Sequence, residues 1–346
     1  MTVTRPRLII VGPLIGRNTG QVTTPGEILA DGFAACGYDV LAVSSHPNRY
    51  MRLYEIVRTL CAQHRAYDLM LLNVYGGPSF VVEDLASWLG RRFGLSVIFH
   101  LHGGALPDFF ARWPNWTRRV LRRAHRFVTP SSYLSQALTP YGFQGTVIPN
   151  SIELSDYPFR LRERPAPRLL WMRSFHDVWN PLMALRVFAR LRQHVPHAAL
   201  VMAGQDKGLQ DECKRQAREL GLANAVEFPG FLDRTQKIAY GQACDIYLNT
   251  NRIDNMPVAV VEACAFGLPV VSTSVGGIPD LLTDGETGLL VASEDDDAMV
   301  AAILRLLNEP NLAANLSNNG RKLAERSAWE SVRQQWEAIF GSIKED

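Results

Sequence analysis

Four places in this 346-residue sequence hold side chains whose type and spacing could do chemistry. Asp254 and Glu262 are carboxylates separated by seven residues, and Glu262 sits inside the apolar run Val258-Ala259-Val260-Val261-Glu262-Ala263-Cys264-Ala265-Phe266. An ionised carboxylate buried without partners is very costly, so Glu262 must face a cleft or be tied by hydrogen bonds. Asp254 and Asn255 are helix-capping types, Pro257 suits a first helical position, and Gly267 with Pro269 stops a helix two turns later. The loop of Asn255 and Met256 then directs backbone N–H groups and a positive dipole end outward, which suits a polyol or a phosphate. Upstream, Arg173 follows the apolar Leu169-Leu170-Trp171-Met172, and Val97-Ile98-Phe99-His100-Leu101-His102-Gly103-Gly104 reads as a strand ending in His-Gly-Gly. Strand alternation puts His100 and His102 on one face. Finally, Leu8-Ile9-Ile10-Val11 runs into a turn from Gly12 through Gly16 to Gly20 and then a helix from Pro25 to Gly37, the arrangement by which α/β proteins place phosphates at a helix N-terminus.

The elements that must position these groups alternate. Apolar runs at Val40–Val43 and Leu69–Leu72 flank a helix around 50–65, and further strands are predicted at 97–101, 169–172, 199–203, 226–228 and 270–271. Helices are predicted at 114–126, 295–308, 312–326 and 328–343. Strand and helix in alternation predict parallel sheets. The length fits two domains of ordinary size, and 47% apolar with 20% charged residues describes a globular protein with ample core material. No stretch approaches eighteen uninterrupted apolar residues, and the N-terminal Met1–Arg7 lacks a signal peptide's apolar region, so the expected location is cytoplasmic. The five cysteines are widely spaced and read as reduced core thiols, none with metal-site spacing. Residues 1–160 hold 16 Arg and no Lys against 10 acidic residues, whereas the remainder is net acidic. The run Arg160–Arg168 is charged and Pro-containing, a linker composition. The glycines after Val11 do not follow G-x-G-x-x-G, which disfavours a nicotinamide cofactor.

Asp254 to Glu262 resembles the acidic-x7-Glu signature of family 4 retaining glycosyltransferases, and Ser272 to Asp280 with Asp284 to Val291 continues the resemblance. It implies an α/β protein of the GT-B type, with two Rossmann-like domains facing across a cleft and a C-terminal helix crossing back. The boundaries expected are 1–155 for the acceptor-side domain, 156–327 for the nucleotide-sugar domain and 328–346 for the returning helix. It further implies a metal-independent glycosyltransferase that moves a sugar, with retention, from a nucleotide-sugar donor to a glycan, glycolipid or small-molecule hydroxyl. The nucleotide sugar is substrate, and no cofactor is expected. His102, Arg173 and Asp254 would be catalytic, while Gly12, Gly16, Asn180, Asn255, Met256 and Glu262 would bind donor: Arg173 its pyrophosphate, Glu262 its ribose hydroxyls, Asp254 and His102 its sugar. The family usually has Glu at position 254 and Lys-Gly where Asn180-Pro181 stands. Arg118, Arg119, Arg122, Arg123 and Arg126 form a basic helix face, read either as solvated or, as in some relatives, as a contact with anionic membrane at the inner face. Nucleic acid is not an expected partner. The alternatives are a GT-B nucleotide-sugar epimerase, a non-catalytic nucleotide-sugar binder and, third, a dehydrogenase.

Overall fold

In a computed structural model that describes residues 5–16, 18 and 21–344, the chain divides into two units, Met1–Ser151 with Trp329–Asp346, and Ile152–Ala328. Arg17, Thr19 and Gly20 of the glycine-rich turn lie outside the described residues, as does Met1–Thr4 of the N-terminal lead. The first unit holds strands β1 (Leu8–Val11), β2 (Val40–Val43), β3 (Leu69–Val74), β4 (Ser96–Leu101), β5 (Arg126–Thr129) and β6 (Thr146–Val147). The second holds β7 (Arg168–Met172), β8 (Ala199–Ala203), β9 (Val226–Gly230), β10 (Ile246–Asn249), β11 (Val270–Thr273) and β12 (Leu289–Val291).

Each unit forms a parallel sheet of six described strands, in the orders β2-β1-β3-β4-β5-β6 and β12-β11-β10-β7-β8-β9. Parallel sheets are covered on both faces, which is why β1 and β3 are apolar and buried almost without interruption. On β1, Ile9 and Val11 enter one core and Leu8 and Ile10 the other, as the two-residue side-chain period requires. The strand order reverses between β1 and β3 in the first sheet and between β7 and β10 in the second. Open α/β sheets bind ligands beyond the carboxyl ends of such strand pairs.

The C-terminal helix Trp329–Lys344 belongs to the first unit. Val332, Trp336, Ile339 and Phe340 recur at helical spacing and form one apolar stripe, buried with Ile10, Phe33 and Ile98. Phe33 meets the rings of Trp329 and Phe340, each at 5.2 Å. Gly32 is required there, because a Cβ would stand 2.5 Å from the Trp329 ring. Where the chain enters and leaves the second unit it runs side by side, Ile152 N donating to Ser327 O at 2.8 Å.

Two expectations change. The helix expected over 114–126 is Pro114–Leu121, and Arg126 opens β5, so the five arginines do not share one helix face. Arg118, Arg119 and Arg122 are exposed, whereas the half-buried Arg123 is turned onto Asp84. The run expected as a linker is also tied down. Arg162 is buried, its guanidinium donating to Arg160 O, Phe266 O, Gly241 O and Cys244 O, a set that includes carbonyls at the ends of helices Val258–Phe266 and Arg234–Ala243. A cation at two helix C-termini complements their dipoles, so a sequence of linker composition becomes a clamp. Burial nonetheless brings its pKa down to about 10.

Among the described residues no helix is long and apolar enough to cross a membrane. Trp336→Ala should destabilise the first unit by about 3–5 kcal/mol, as loss of a buried Trp does. Urea unfolding checks this, and a loss below about 1 kcal/mol would place the helix outside that core.

Candidate active site

Arg173 directly follows β7, and Asp254 lies in the loop after β10, so the reversal in the second sheet brings them to one place. Arg173 Nη2 donates to Asp254 Oδ2 at 2.7 Å, with both side chains nearly buried. Asp254 Oδ2 also accepts from Asn251 Nδ2 at 2.7 Å, and Oδ1 accepts from the Asn255 amide at 2.8 Å. Burial raises the Asp254 carboxyl above its ordinary value, and these donors only partly offset that. The Arg173 guanidinium lies over the Trp179 ring at 3.8 Å. It is therefore held by its edge and its face, while Nε and Nη1 have no partner among the described residues. The backbone around the pair is close-packed: a Cβ on Gly204 would stand 1.9 Å from Arg173 O, and one on Gly276 would stand 1.9 Å from Asp254 O. Both glycines have positive φ, so other residues there would be strained as well as crowded.

Glu262 is on the otherwise apolar helix Val258–Phe266 and is tied by hydrogen bonds. Its Oε1 accepts from Tyr157 Oη at 2.8 Å and from Lys237 Nζ at 2.6 Å. Burial raises the pKa of the nearby Tyr247 hydroxyl, with Arg173 opposing the rise and Glu262 and Asp254 adding to it, and that hydroxyl donates to Met172 O at 3.2 Å. The Val258 helix has Pro257 at its cap position and no side-chain cap. The cap position falls on Pro257 and not on Asp254 or Asn255, and Arg173 and Asn251 engage Asp254 four residues before the helix begins. Tyr157, Lys237 and Trp179 were not legible as site residues. Their positions in sequence carry no motif, and only the packing of four separate segments brings them in.

Asn180 is placed differently from the expected phosphate donor. It is buried in the left-handed conformation and caps helix Pro181–His194, its Oδ1 accepting from Met183 N. Its Nδ2 donates to Glu294 at 2.7 Å. Both polar atoms of the amide are thus engaged within the unit, and Glu294 is further held by Arg186 and Arg252.

In the first unit, Gly12 and Gly16 do not form an open cradle of amides. Gly12 N donates to Val43 O at 2.8 Å, and Gly16 N donates to Glu27 Oε2 at 3.0 Å. Glu27 also accepts from Thr24 N in a capping box, so the helix that follows is satisfied by its own side chains. Glu83 does the same for the loop after β3, accepting from the Tyr75 amide at 2.8 Å. Burial lifts its pKa to about 7.

His102 lies just past β4 and is buried. Its Nε2 pairs with Asn73 Oδ1 at 2.9 Å, its ring stacks on Tyr75 with centroids 4.8 Å apart, and His100 meets it edge-on. Burial lowers the His102 pKa to about 3. His100 is also held well below its ordinary value, by burial and then by His102. The two sets of residues belong to separate units. Asp254, Asn255, Met256, Glu262 and Arg173 lie in the second, and Gly12 and His102 lie in the first, just past β1 and β4 with β3 between those strands.

The neutral histidines give a pH dependence with a definite sign. Unfolded histidine takes up its proton below about 6.5, but the folded pair does not, so stability falls as pH is lowered from 6.5 towards 3, by up to about 1.4 kcal/mol per pH unit for each. His102→Gln should remove one histidine's share of that slope in urea unfolding at pH 7, 6 and 5. An unchanged slope would mean that folded His102 titrates.

Two family models match the chain, Glycosyltransferase Family 4 over residues 40–156 and Glycosyl transferases group 1 over residues 161–323. A lipopolysaccharide core biosynthesis mannosyltransferase of Rhizobium meliloti is 30% identical over 289 residues, covering 78% of each chain. A glycogen synthase of Mycobacterium tuberculosis is 28% identical over 238 residues, 65% of this chain and 56% of that enzyme. The chain thus spans about half the length of the glycogen synthase and, at 44%, less of a Catenulispora acidiphila D-inositol 3-phosphate glycosyltransferase 2. Its fold matches that of a sucrose-phosphate synthase from Thermosynechococcus elongatus, with a TM-score of 0.80 at 18% identity over 98% of this chain and 99% of that one. Anabaena HepE in complex with UDP and glucose matches with a TM-score of 0.76 at 19% identity, over 98% and 100% of the two chains. With both sheets of the GT-B type and the models covering most of each unit, the chain belongs to glycosyltransferase family 4, the group 1 glycosyltransferases.

Proposed function

We propose that this chain is a retaining, metal-independent glycosyltransferase that moves a sugar from a nucleotide-sugar donor to a hydroxyl of a glycan, glycolipid or small-molecule acceptor. The observation that carries the reading is the Arg173–Asp254 pair beside Glu262 at the reversal point of the second sheet. The departing pyrophosphate needs its charge met, and a preorganised cation in a dry site does this at little reorganisation cost. Arg173 suits the task, since Asp254 and Trp179 fix its plane and leave Nε and Nη1 to donate to phosphate oxygens. The uncapped start of helix Val258–Phe266 adds amides and a favourable dipole. Glu262 gives Oε1 to Tyr157 and Lys237, leaving Oε2 for ribose hydroxyls. Asp254, with its oxygens committed to three donors, is an orienting group and not a nucleophile; with the Asn255 and Met256 backbone it would hold sugar hydroxyls. Retention follows from same-face transfer, in which the leaving phosphate takes the acceptor proton. Metal independence would rest on Arg173 as the cation that meets the departing charge.

Peripheral membrane contact belongs to the same proposal. Exposed Arg118, Arg119 and Arg122 stand with exposed Trp113 on or beside helix Pro114–Leu121, and exposed Val81 and Trp88 lie on the neighbouring helix Phe80–Arg92. Aromatic and cationic groups together suit an anionic lipid surface. At about 1 kcal/mol per basic residue, Arg118→Ala with Arg122→Ala should weaken binding to phosphatidylglycerol vesicles about thirtyfold. Equal sedimentation of wild type and variant would remove the arginines from that role.

A thermal-shift panel of UDP-, GDP- and ADP-sugars should single out one donor, which at about 100 times its Kd adds roughly 2.7 kcal/mol of stability. Glu262→Ala should abolish that shift, and Arg173→Ala should lower turnover by a factor on the order of 100. Unchanged calorimetric donor binding in Glu262→Ala would overturn its role, and a near-wild-type rate in Arg173→Ala would move the phosphate site elsewhere.

A further inference from the structure

Asn73 is a buried amide at the carboxyl end of β3, next to the strand reversal of the first sheet. Its Nδ2 lies 3.1 Å from Val11 O and its Oδ1 lies 2.9 Å from His102 Nε2. A backbone carbonyl only accepts, so the amide nitrogen must face Val11 and the amide oxygen must face the histidine. An amide oxygen only accepts as well, so Nε2 must carry the proton. In a neutral ring that leaves Nδ1 with its lone pair. Nδ1 of His100 is fully buried with no partner, whereas Nδ1 of His102 is not among such atoms.

The surroundings are shaped to the amide. A Cβ on Gly12 would stand 2.9 Å from Asn73 Cβ, and one on Gly26 would stand 2.7 Å from Asn73 Nδ2. Two glycines, one after β1 and one in the first turn of helix Pro25–Ala35, thus make the space in which Asn73 sits. Tyr75 covers one face of the His102 ring and His100 abuts it, so the ring cannot turn freely.

We infer that Asn73 is a positioning residue that fixes His102 as its Nε2-protonated tautomer and so presents Nδ1 as an acceptor for a substrate hydroxyl. Order runs from the Val11 carbonyl through Asn73 to the imidazole, and its product is a ring whose one N–H is spent on Asn73 and whose Nδ1 can only accept. Gly12 then acts by seating Asn73 and not through its own amide. The turnover part of this inference rests on the glycosyl-transfer reading; the tautomer does not.

Long-range proton–nitrogen correlation spectra of the 15N-labelled full chain test it, with His102 assigned by the signals lost in His102→Gln. At pH 7 the wild type should show a protonated-type shift at Nε2 and an unprotonated-type shift at Nδ1, and a proton on Nδ1 would overturn the assignment. Asn73→Leu should mix the tautomers and lower kcat for the donor found by thermal shift about tenfold, the worth of one hydrogen bond, with less change in KM. The near-isosteric Asn73→Asp, which puts a carboxylate opposite Nε2, should bring His102 into titration between pH 5 and 8. A tautomer and titration unchanged in both variants would overturn the positioning role, as would lost turnover with an unchanged tautomer. If the wild type turns over no donor, glycosyl transfer fails while the tautomer read in the same sample still decides the role of Asn73.

Discussion

A carboxylate taken out of water must find its donors inside the protein, and Asp254 finds Arg173, Asn251 and the Asn255 amide. Much of the second unit's site depends on that requirement. Arg173 is turned into one plane by it and rests on Trp179. Trp179 O and Asn180 O accept from the Thr250 hydroxyl, which draws the loop after β7 against the end of β10. Gly276 and Gly277 close over the Asp254 backbone, Gly277 N donating to Asp254 O. Desolvation of both charges is costly, and removing either partner would strand the other in a dry site. The pair is thus a constraint on geometry more than a source of stability, which is what a site that must hold a cation still requires.

The units treat their strand ends in opposite ways. In the first, acidic side chains in the opening turns of two helices, Glu27 and Glu83, collect amides of the preceding loops. The polar groups left for chemistry there are side chains, chiefly a histidine kept neutral by burial. In the second, helix Val258–Phe266 begins without a side-chain cap, and its one carboxylate has taken a lysine and a tyrosine from other segments. An electropositive helix start beside a fixed guanidinium suits an anionic ligand, and a neutral imidazole suits an uncharged hydroxyl.

Periodicity and breakers carried the elements. The strand Leu8–Val11, the strand Val40–Val43 and the helix Leu312–Arg326 stand where the sequence places them, because buried parallel strands are short apolar runs and Gly or Pro ends them. Pro114–Leu121 is shorter than its composition suggests, since arginines suit a helix and nothing in the residues before Arg126 marks the strand that begins there. Arg160–Arg168 has the composition of a linker without the role of one, because composition cannot tell a solvated arginine from one, like Arg162, that is buried among carbonyls.

By itself the sequence determined the alternation of strand and helix, the family, and the candidate carboxylates, because these follow from local hydrophobic period and from residues adjacent in the chain. Only the tertiary structure decided which groups those residues answer to. It gave Asn180 to Glu294, Glu262 to Lys237 and Tyr157, and His102 to Asn73, pairs whose members lie tens of residues apart. A buried polar atom takes whichever donor or acceptor the strand order brings within about 3 Å, and strand order is set by the packing of the whole sheet.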